Sequence, residues 1–199
     1  VDPSFLENLS ELCRKEKVLL IIDEVQTGFG RTGKLFAYQH YNIQPDIVTL
    51  GKGIGGGYPL AAVLVKEALD IFEPGDQGGT YTAQPLGMAV GLRILKTLHS
   101  KHILENAAQK GESIKQALAK LSSEFPIKDI RGKGLLIGCS LETLSANEVV
   151  KQCLEEGLII NATDDQTIRF VPPLIIEDQH IEEMKSKLRK VLINVRNSA

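Results

Sequence analysis

The sequence is poor in cysteine and has no long apolar run, and each shortage excludes a class of protein. Its three cysteines, Cys13, Cys139 and Cys153, are odd in number, far apart and never arranged as C-x-x-C. This spacing suggests neither a disulfide framework nor a thiolate metal site, and it fits a reducing, cytoplasmic compartment. No apolar run approaches the length of a membrane span, and the first residues do not resemble a secretory signal. We therefore expect a soluble, intracellular protein without a membrane partner.

An excess of either charge is also lacking. The 199 residues carry 23 Lys and Arg against 25 Asp and Glu, which gives a formal net charge of -2. This balance provides no basic footprint for a nucleic acid or an anionic membrane. The composition is otherwise that of a globular protein with one large domain or two small ones. Because residue 1 is valine and the chain opens directly into a predicted helix, we expect it to be the later part of a longer protein.

The hydrophobic pattern up to residue 98 predicts an α/β fold. Helices alternate with apolar runs typical of strands that are covered on both faces, which is the pattern of a mostly parallel sheet. The connection from Lys52 to Leu60 is too short for a parallel crossover, so the third strand should run antiparallel to the second. The predicted elements are a helix from Pro3 to about Lys15, strands over residues 18–22, 47–50 and 61–65, short helical segments over 35–41 and 66–72, and a helix from Pro85 to Leu98.

The remaining residues predict a small α+β domain, with a boundary near His99. The interpretation is therefore one domain over residues 1–98 and a second over 99–199. His99 and His102 lack a nearby carboxylate or cysteine pattern, so we expect a solvated helix end there and no metal site. The predicted elements of this part are helices over residues 102–121, 146–156 and 177–197 and strands over 134–141, 158–160 and 168–170.

A glycine-rich stretch provides the first candidate for chemistry. Five of the seven residues from Gly51 to Gly57 are glycine, and a lysine, Lys52, stands just past the end of a predicted strand. Such a cluster is costly unless the backbone turns sharply or approaches something closely. A lysine held there can act as an amine nucleophile toward a carbonyl. Asp23 ends the preceding strand, so we expect a carboxylate and a lysine at the same edge of the sheet. A mobile surface loop with a solvated lysine is the alternative interpretation.

Four ordered segments resemble the landmarks of class III aminotransferases, which are pyridoxal-phosphate enzymes of fold type I. They are residues 23–33 (DEVQTGFGRTG), 49–53 (TLGKG), 78–80 (GGT) and 169–173 (RFVPP), and together they cover essentially the whole chain. Within that family, residues 33–38 and 75–80 most resemble the acetylornithine branch. The resemblance implies the C-terminal part of a large cofactor-binding domain, with a mostly parallel sheet and one antiparallel strand, followed by a small α+β domain. The family's phosphate cup and ring-stacking aromatic would lie in an earlier half.

The resemblance also implies roles for four residues at the cofactor ring. Lys52 would bond to the aldehyde of pyridoxal 5'-phosphate and then carry the proton that moves during transfer. Asp23 would pair with the pyridine nitrogen and keep the ring protonated as an electron sink. Val25, with the same strand parity as Asp23, would pack on the ring, and Gln26 would bond to the ring hydroxyl. Core packing for Val25 and a loop hydrogen bond for Gln26 are the alternatives.

Two further residues are implied outside the ring. Thr80 would reach the cofactor phosphate of a neighbouring subunit, which implies a homodimer with shared active sites. Arg169 would bind a substrate carboxylate with its planar fork, the alternative being a salt bridge in the small domain. Two departures from the family pattern are Gly51, where a small non-glycine residue is common, and residues 82–84 (TAQ), which replace a more usual Gly-Gly-Asn or Asn-Gly-Asn.

The activity implied is transamination between N-acetylornithine and 2-oxoglutarate in arginine biosynthesis. Other class III transaminases, acting on ornithine, 4-aminobutyrate or succinyl-diaminopimelate, are alternatives. A more distant alternative is an NTPase, because residues 19–24 resemble a Walker B strand. That alternative is weakened because Gly53 follows the lysine where a phosphate-binding loop needs Ser or Thr. A third alternative is that this chain is a fragment without catalytic activity of its own.

Overall fold

The computed structural model describes residues 2–198, which form two compact units. Unit 1 contains residues 2–30 and Lys34–His102, and unit 2 contains Arg31–Gly33 and residues 103–198. No helix in this part of the chain is long and apolar enough to cross a bilayer. The elements in order are α1 (Pro3–Glu16), β1 (Ile21–Asp23), β2 (Ile47–Leu50), β3 (Ala62–Val65), α2 (Pro85–Ser100), α3 (Ile103–Leu121), β4 (Ile127–Lys133), β5 (Leu136–Leu141), α4 (Ala146–Glu155), β6 (Asn161–Ala162), β7 (Thr167–Phe170) and α5 (Asp178–Ser198).

Unit 1 is built on a three-stranded sheet in the order β1-β2-β3. Strand β1 runs parallel to β2, with Asp23 opposite Thr49. Strand β3 runs antiparallel to β2, so the prediction from the short connection is confirmed. The predicted first helix is also confirmed, and Asp2 caps it by accepting a hydrogen bond from the Ser4 backbone amide at 2.8 Å. The α/β character of this part of the chain therefore follows directly from its local sequence.

The prediction of a long first strand covered on both faces is wrong. Strand β1 begins only at Ile21, while Val18 and Leu19 precede it and are 57% and 48% exposed. Ile21 itself is 56% exposed, and because strand side chains point to the faces of a sheet, one face of β1 is left uncovered. Within residues 2–198 no element covers its outer face, and α1 buries none of its residues over Pro3–Glu16. The apolar run over residues 18–22 therefore includes side chains that this chain alone does not bury.

Asp46 ties together the three strands of unit 1. Its carboxylate accepts hydrogen bonds from the Leu20 backbone amide at 2.8 Å and from Lys66 Nζ at 2.7 Å. Its backbone amide donates to Leu20 O, and its carbonyl accepts from the Lys66 amide. The Lys66 hydrogen bond, followed by that of the Leu20 amide, holds the pKa of the Asp46 carboxyl below its ordinary value.

We predict that Asp46→Asn lowers the free energy of unfolding at pH 7 by about 1 kcal/mol, because the ion pair is partly solvated. The folded-state pKa is lowered, so the carboxylate stabilises the fold fully above its unfolded pKa of about 4. This contribution is lost as the pH falls through the folded-state pKa. Urea unfolding at pH 7 and near pH 2 measures both limits. An equal difference between variant and wild type at both pH values would contradict the assignment.

Unit 2 is a four-stranded antiparallel sheet in the order β4-β5-β7-β6, with α3 and α4 packed on it and α5 packed against these two helices. Alternate residues of β5 point into the core, so Ile137, Cys139 and Leu141 are buried. They meet fully buried residues of the helices, such as Leu118 and Leu188. The opposite face of β5 is only half-buried. One face of the sheet therefore carries the core, and the other is open within this unit.

The strands of unit 2 differ from the prediction in two places, each for a physical reason. Strand β4 was not predicted, because it carries four charged residues and its register shifts at a bulge between Lys128 and Arg131. The predicted strand over 158–160 is absent from the described structure, which has β6 at Asn161–Ala162 instead. Ile159 is 85% exposed, whereas Leu158 and Ile160 pack against the core. The apolar residues 158–160 therefore belong to a loop that packs on the core and not to a strand of the sheet.

Three backbone segments of unit 2 approach one another at glycines. A Cβ atom built on Gly111 of α3 would lie 2.1 Å from the carbonyl oxygen of Gly134. One on Gly134 would lie 2.4 Å from the carbonyl carbon of Thr32, and one on Gly33 would lie 2.9 Å from Ala108 Cβ. Helix α3, the β4–β5 turn and the segment Arg31–Gly33 thus stack with no room for side chains between them.

Arg31 stabilises the packing of these three segments through hydrogen bonds. Its guanidinium donates to the carbonyl oxygens of Pro172 at 2.5 Å and Leu135 at 3.2 Å, and the Arg31 carbonyl accepts from the Leu135 amide. Burial lowers the pKa of Arg31 from its ordinary value, although a guanidinium stays charged. Arg31 and Gly33 of the sequence segment 28–33 therefore have a structural role in unit 2.

All three cysteines are free thiols, and two of them lie in the core of unit 2. Burial raises the pKa values of Cys139 and Cys153 to about 12, whereas Cys13 on α1 is only half-buried. Since the thiolate is the reactive form, we predict that one thiol per chain reacts rapidly with a disulfide reagent at pH 8. All three should react after denaturation. Rapid reaction of two or more thiols in the native protein would contradict the buried placement.

Candidate active site

Two adjacent strand ends bring a carboxylate and a lysine to one edge of the unit 1 sheet. The register places Asp23 opposite Thr49, and the Glu24 amide continues the ladder by donating to Thr49 O at 2.9 Å. Lys52 follows three residues after Thr49, just past the end of β2. Because β1 and β2 are parallel, their carboxyl ends meet at the same edge, where α/β sheets bind ligands. The prediction that these ends are neighbours is confirmed.

Lys52 has a backbone conformation that is rare for a side-chain-bearing residue. It begins a 3-10 turn over Lys52–Gly55 and has φ 45°, in the left-handed region. This conformation costs about 1–3 kcal/mol outside glycine and persists only where the surroundings impose it. Gly56 and Gly57, with φ 53° and 110°, then reverse the chain toward β3. The lysine side chain is exposed, so its amine is available at the sheet edge.

Asp23 is held by the turn that follows it. Its Oδ1 accepts a hydrogen bond from the Val25 amide at 2.8 Å, and the residue is exposed. Strand β1 ends at Asp23, so Val25 lies in the turn and the strand-parity argument for it was wrong. A Cβ on Gly51 would lie 3.2 Å from Val25 Cγ1. The glycine before Lys52 thus accommodates Val25, and Gln26 is exposed in the same turn.

Glu24 is a site-supporting residue that the sequence analysis missed. Only 1% of it is exposed, and its carboxylate accepts from Thr27 Oγ1 at 2.5 Å and from the Tyr38 amide at 2.8 Å. These bonds close the turn that carries Val25 and Gln26. The spacing Glu-x-x-Thr offered a local signal for the first bond, but the Tyr38 contact arises only in the fold.

The other two predicted residues are not part of these two strand ends. Thr80 is in the exposed segment between β3 and α2 of unit 1, where its carbonyl accepts from Gln84 Nε2 at 3.0 Å. Arg169 is on β7 of unit 2, and its Nε donates to Asn161 Oδ1 at 3.1 Å. The unit 1 sheet edge therefore carries four of the predicted residues, Asp23, Val25, Gln26 and Lys52. Thr80 belongs to the segment between β3 and α2 of the same unit, and Arg169 belongs to unit 2.

The side chains at the sheet edge fit pyridoxal phosphate chemically. A fixed carboxylate suits a protonated pyridine nitrogen, an exposed amine suits an aldehyde, and an amide suits a ring hydroxyl. Val25 adds an apolar side chain beside Gly51. A cavity of about 210 Å³ in unit 2 is different in kind: it is mostly apolar, lies between α5 and residues 157–160, and is lined by none of the predicted site residues.

Comparison with known proteins defines the class. The family model for class III aminotransferases matches residues 1–192, and the chain belongs to that family. It is 42% identical over 195 residues to an acetylornithine aminotransferase of Caldanaerobacter subterraneus subsp. tengcongensis, covering 98% of this chain and 50% of that protein. The chain thus spans about half the length of the curated relatives it matches.

Solved structures give the same class. The acetylornithine aminotransferase of Elizabethkingia anophelis matches with a TM-score of 0.89 and 36% identity, covering 97% of this chain and 52% of that one. An ornithine aminotransferase of Toxoplasma gondii, described with pyridoxal phosphate at its active site, matches with a TM-score of 0.90 and 34% identity over 99% and 48% of the two chains. The resemblance seen in the sequence is confirmed, and the NTPase alternative is not favoured.

Proposed function

We propose that the protein containing this chain transfers the amino group of N-acetylornithine to 2-oxoglutarate, yielding N-acetylglutamate semialdehyde and glutamate in arginine biosynthesis. The observation that carries the proposal is that Asp23 ends β1 and Lys52 follows the end of the adjacent parallel strand β2 in a chain of the class III aminotransferase family. The similarity to acetylornithine aminotransferases supports the choice of donor. The cytoplasm is the proposed compartment, in keeping with the three free thiols.

Pyridoxal phosphate, when bound, supplies an aldehyde for amine exchange and a protonated ring that withdraws electrons. Asp23 would hold the proton on the ring nitrogen, with its carboxylate oriented by the Val25 amide. Val25 would contact the ring, and Gln26 would hydrogen-bond the ring hydroxyl. Lys52 would bond to the aldehyde between turnovers, and its amine, once released, would remove the proton from the substrate carbon that carries nitrogen.

The remaining predicted residues act away from the ring in this proposal. Arg169 would bind a substrate carboxylate, which both the donor and 2-oxoglutarate provide. Thr80 would serve the cofactor phosphate of a neighbouring subunit in a homodimer, consistent with its exposure in the segment between β3 and α2. Residues 1–98 would be the C-terminal part of the large cofactor-binding domain, and residues 99–199 the small α+β domain.

Ornithine is the second candidate donor, because ornithine aminotransferases are among the solved structures with TM-scores near those of the acetylornithine enzyme. The complete protein should be assayed with 2-oxoglutarate and, in turn, acetylornithine, ornithine, 4-aminobutyrate and succinyl-diaminopimelate. We expect the highest kcat/KM with acetylornithine. A higher value with another donor would overturn the choice of substrate, and the absence of glutamate formation with every donor would overturn transamination.

A further inference from the structure

The open face of the unit 2 sheet carries two arginines in one row. The register pairs Arg131 of β4 with Gly138 of β5, Gly138 with Arg169 of β7, and Arg169 with Asn161 of β6. Residues directly opposite each other on neighbouring strands share a face. The neighbours of Gly138 on β5, Ile137 and Cys139, are buried in the core, so this row lies on the other face. Gly138 has no side chain of its own, and Arg131 Cζ lies 4.0 Å from the position that a Cβ there would take.

The two arginines differ in how their charges are balanced. Arg131 forms an ion pair with Asp129 Oδ2 at 2.5 Å, and it also donates to Ser140 Oγ at 3.0 Å and Thr167 Oγ1 at 3.5 Å. Arg169 donates through Nε to a neutral acceptor, the amide oxygen of Asn161. Among residues 2–198 no carboxylate lies within ion-pair distance of Arg169. The charge of Arg169 therefore stays available to an external anion, whereas that of Arg131 is used within the sheet.

We infer that Asn161 is a positioning residue for Arg169. Asn161 Nδ2 donates to the carbonyl of Ala162 at 3.2 Å, which turns its Oδ1 toward Arg169 Nε. This contact fixes one edge of the guanidinium and leaves its two terminal nitrogens for the paired hydrogen bonds that a carboxylate accepts. The neutral amide orients the arginine without neutralising it. The inference rests on the proposed function, in which Arg169 binds the substrate carboxylate.

The neutrality of Asn161 gives the sharpest test. Asn161→Asp keeps the size and the acceptor atom but adds a carboxylate that competes with the substrate for Arg169. Asn161→Ala removes the orienting contact and adds no charge. Gln109→Glu adds the same charge on the exposed surface of α3 in the same unit and serves as the matched control. All variants are made in the complete protein.

Two measurements follow each variant: the Kd for glutarate by calorimetry, and KM and kcat for 2-oxoglutarate. Glutarate is a five-carbon dicarboxylate that cannot react. We expect Asn161→Asp to raise Kd and KM about tenfold or more, and Asn161→Ala about threefold, with kcat nearly unchanged because the lost interaction is one of uniform binding. Gln109→Glu should leave all three values as in the wild type.

The inference is tested by which of the two variants, Asn161→Asp or Asn161→Ala, weakens glutarate binding more. If Asn161 only supports the sheet, aspartate should be tolerated better than alanine, since it keeps the hydrogen bond, and that order would overturn the inference. If Asn161→Asp does not fold, an unchanged Kd for Asn161→Ala overturns it. Wild-type protein that binds glutarate but does not transaminate acetylornithine would refute the proposed function alone. Active protein whose Asn161→Asp variant binds glutarate normally would refute the inference alone.

Discussion

Replacing Lys52 with alanine in the complete protein is expected to lower the transamination rate by about 10³-fold or more. The proposed role combines a covalent bond to the cofactor aldehyde with transfer of the substrate proton, and removal of a positioned acid-base group alone costs about 10²–10⁴-fold. Lys52→Arg should fail equally, because a guanidinium keeps the charge but does not lose its proton at neutral pH. The kcat for acetylornithine and 2-oxoglutarate measures the effect.

Lys96→Ala is the matched control, since Lys96 is an exposed lysine of α2 in the same unit. It should retain wild-type kcat. Borohydride treatment of wild-type protein followed by peptide mapping should place the reduced cofactor on Lys52, and the Lys52→Arg variant should remain unlabelled there. Thermal unfolding of each variant separates loss of chemistry from loss of fold. Retention of more than about a tenth of the activity by Lys52→Ala, or a label on another lysine, would remove Lys52 from its role.

The parts of the site that could be predicted from sequence are those fixed by local chain chemistry. Apolar runs end at Asp23 and Leu50, and a turn follows each of them, so the two strand ends and their polar residues could be found by inspection. The antiparallel course of β3 followed from a connection of few residues. In contrast, Glu24 is held by the Tyr38 amide, fourteen residues further along the chain. That contact depends on how the turn folds back, which no local pattern specifies.

The wrong strand predictions in the two sheets have a related cause. Strand β4 is part of a sheet although it is rich in charged residues. Its bulge at Asp129, with φ 47°, allows the charged side chains to remain at the surface. The run over residues 18–22 has the opposite problem, because it is apolar enough for a buried strand and yet Val18 and Leu19 remain exposed. Periodicity reports what a segment would bury, whereas burial itself depends on which other segments cover it.

Gly111→Ala is expected to lower the free energy of unfolding by about 3 kcal/mol, although helix propensity alone predicts a gain of about 1 kcal/mol. The added methyl group would stand 2.1 Å from the Gly134 carbonyl oxygen and 2.6 Å from its carbonyl carbon. Backbone atoms cannot move aside as a flexible side chain can, and Gly134 is blocked on another side by the Thr32 carbonyl carbon. Helix α3 would have to shift away from the β4–β5 turn, and the steric cost exceeds the gain in propensity.

Gly138→Ala is the control that separates this contact from a general effect of replacing glycine in unit 2. A Cβ there would meet Thr167 Cγ2 at 3.7 Å and Ile168 O at 3.8 Å, which are ordinary contact distances. Its free energy of unfolding should stay within about 1 kcal/mol of the wild type, since alanine is also the less costly residue to order in a strand. Urea unfolding followed by circular dichroism compares the two variants. A stabilising Gly111→Ala would mean that propensity outweighs packing, and the close approach of α3 to the β4–β5 turn would then be wrong.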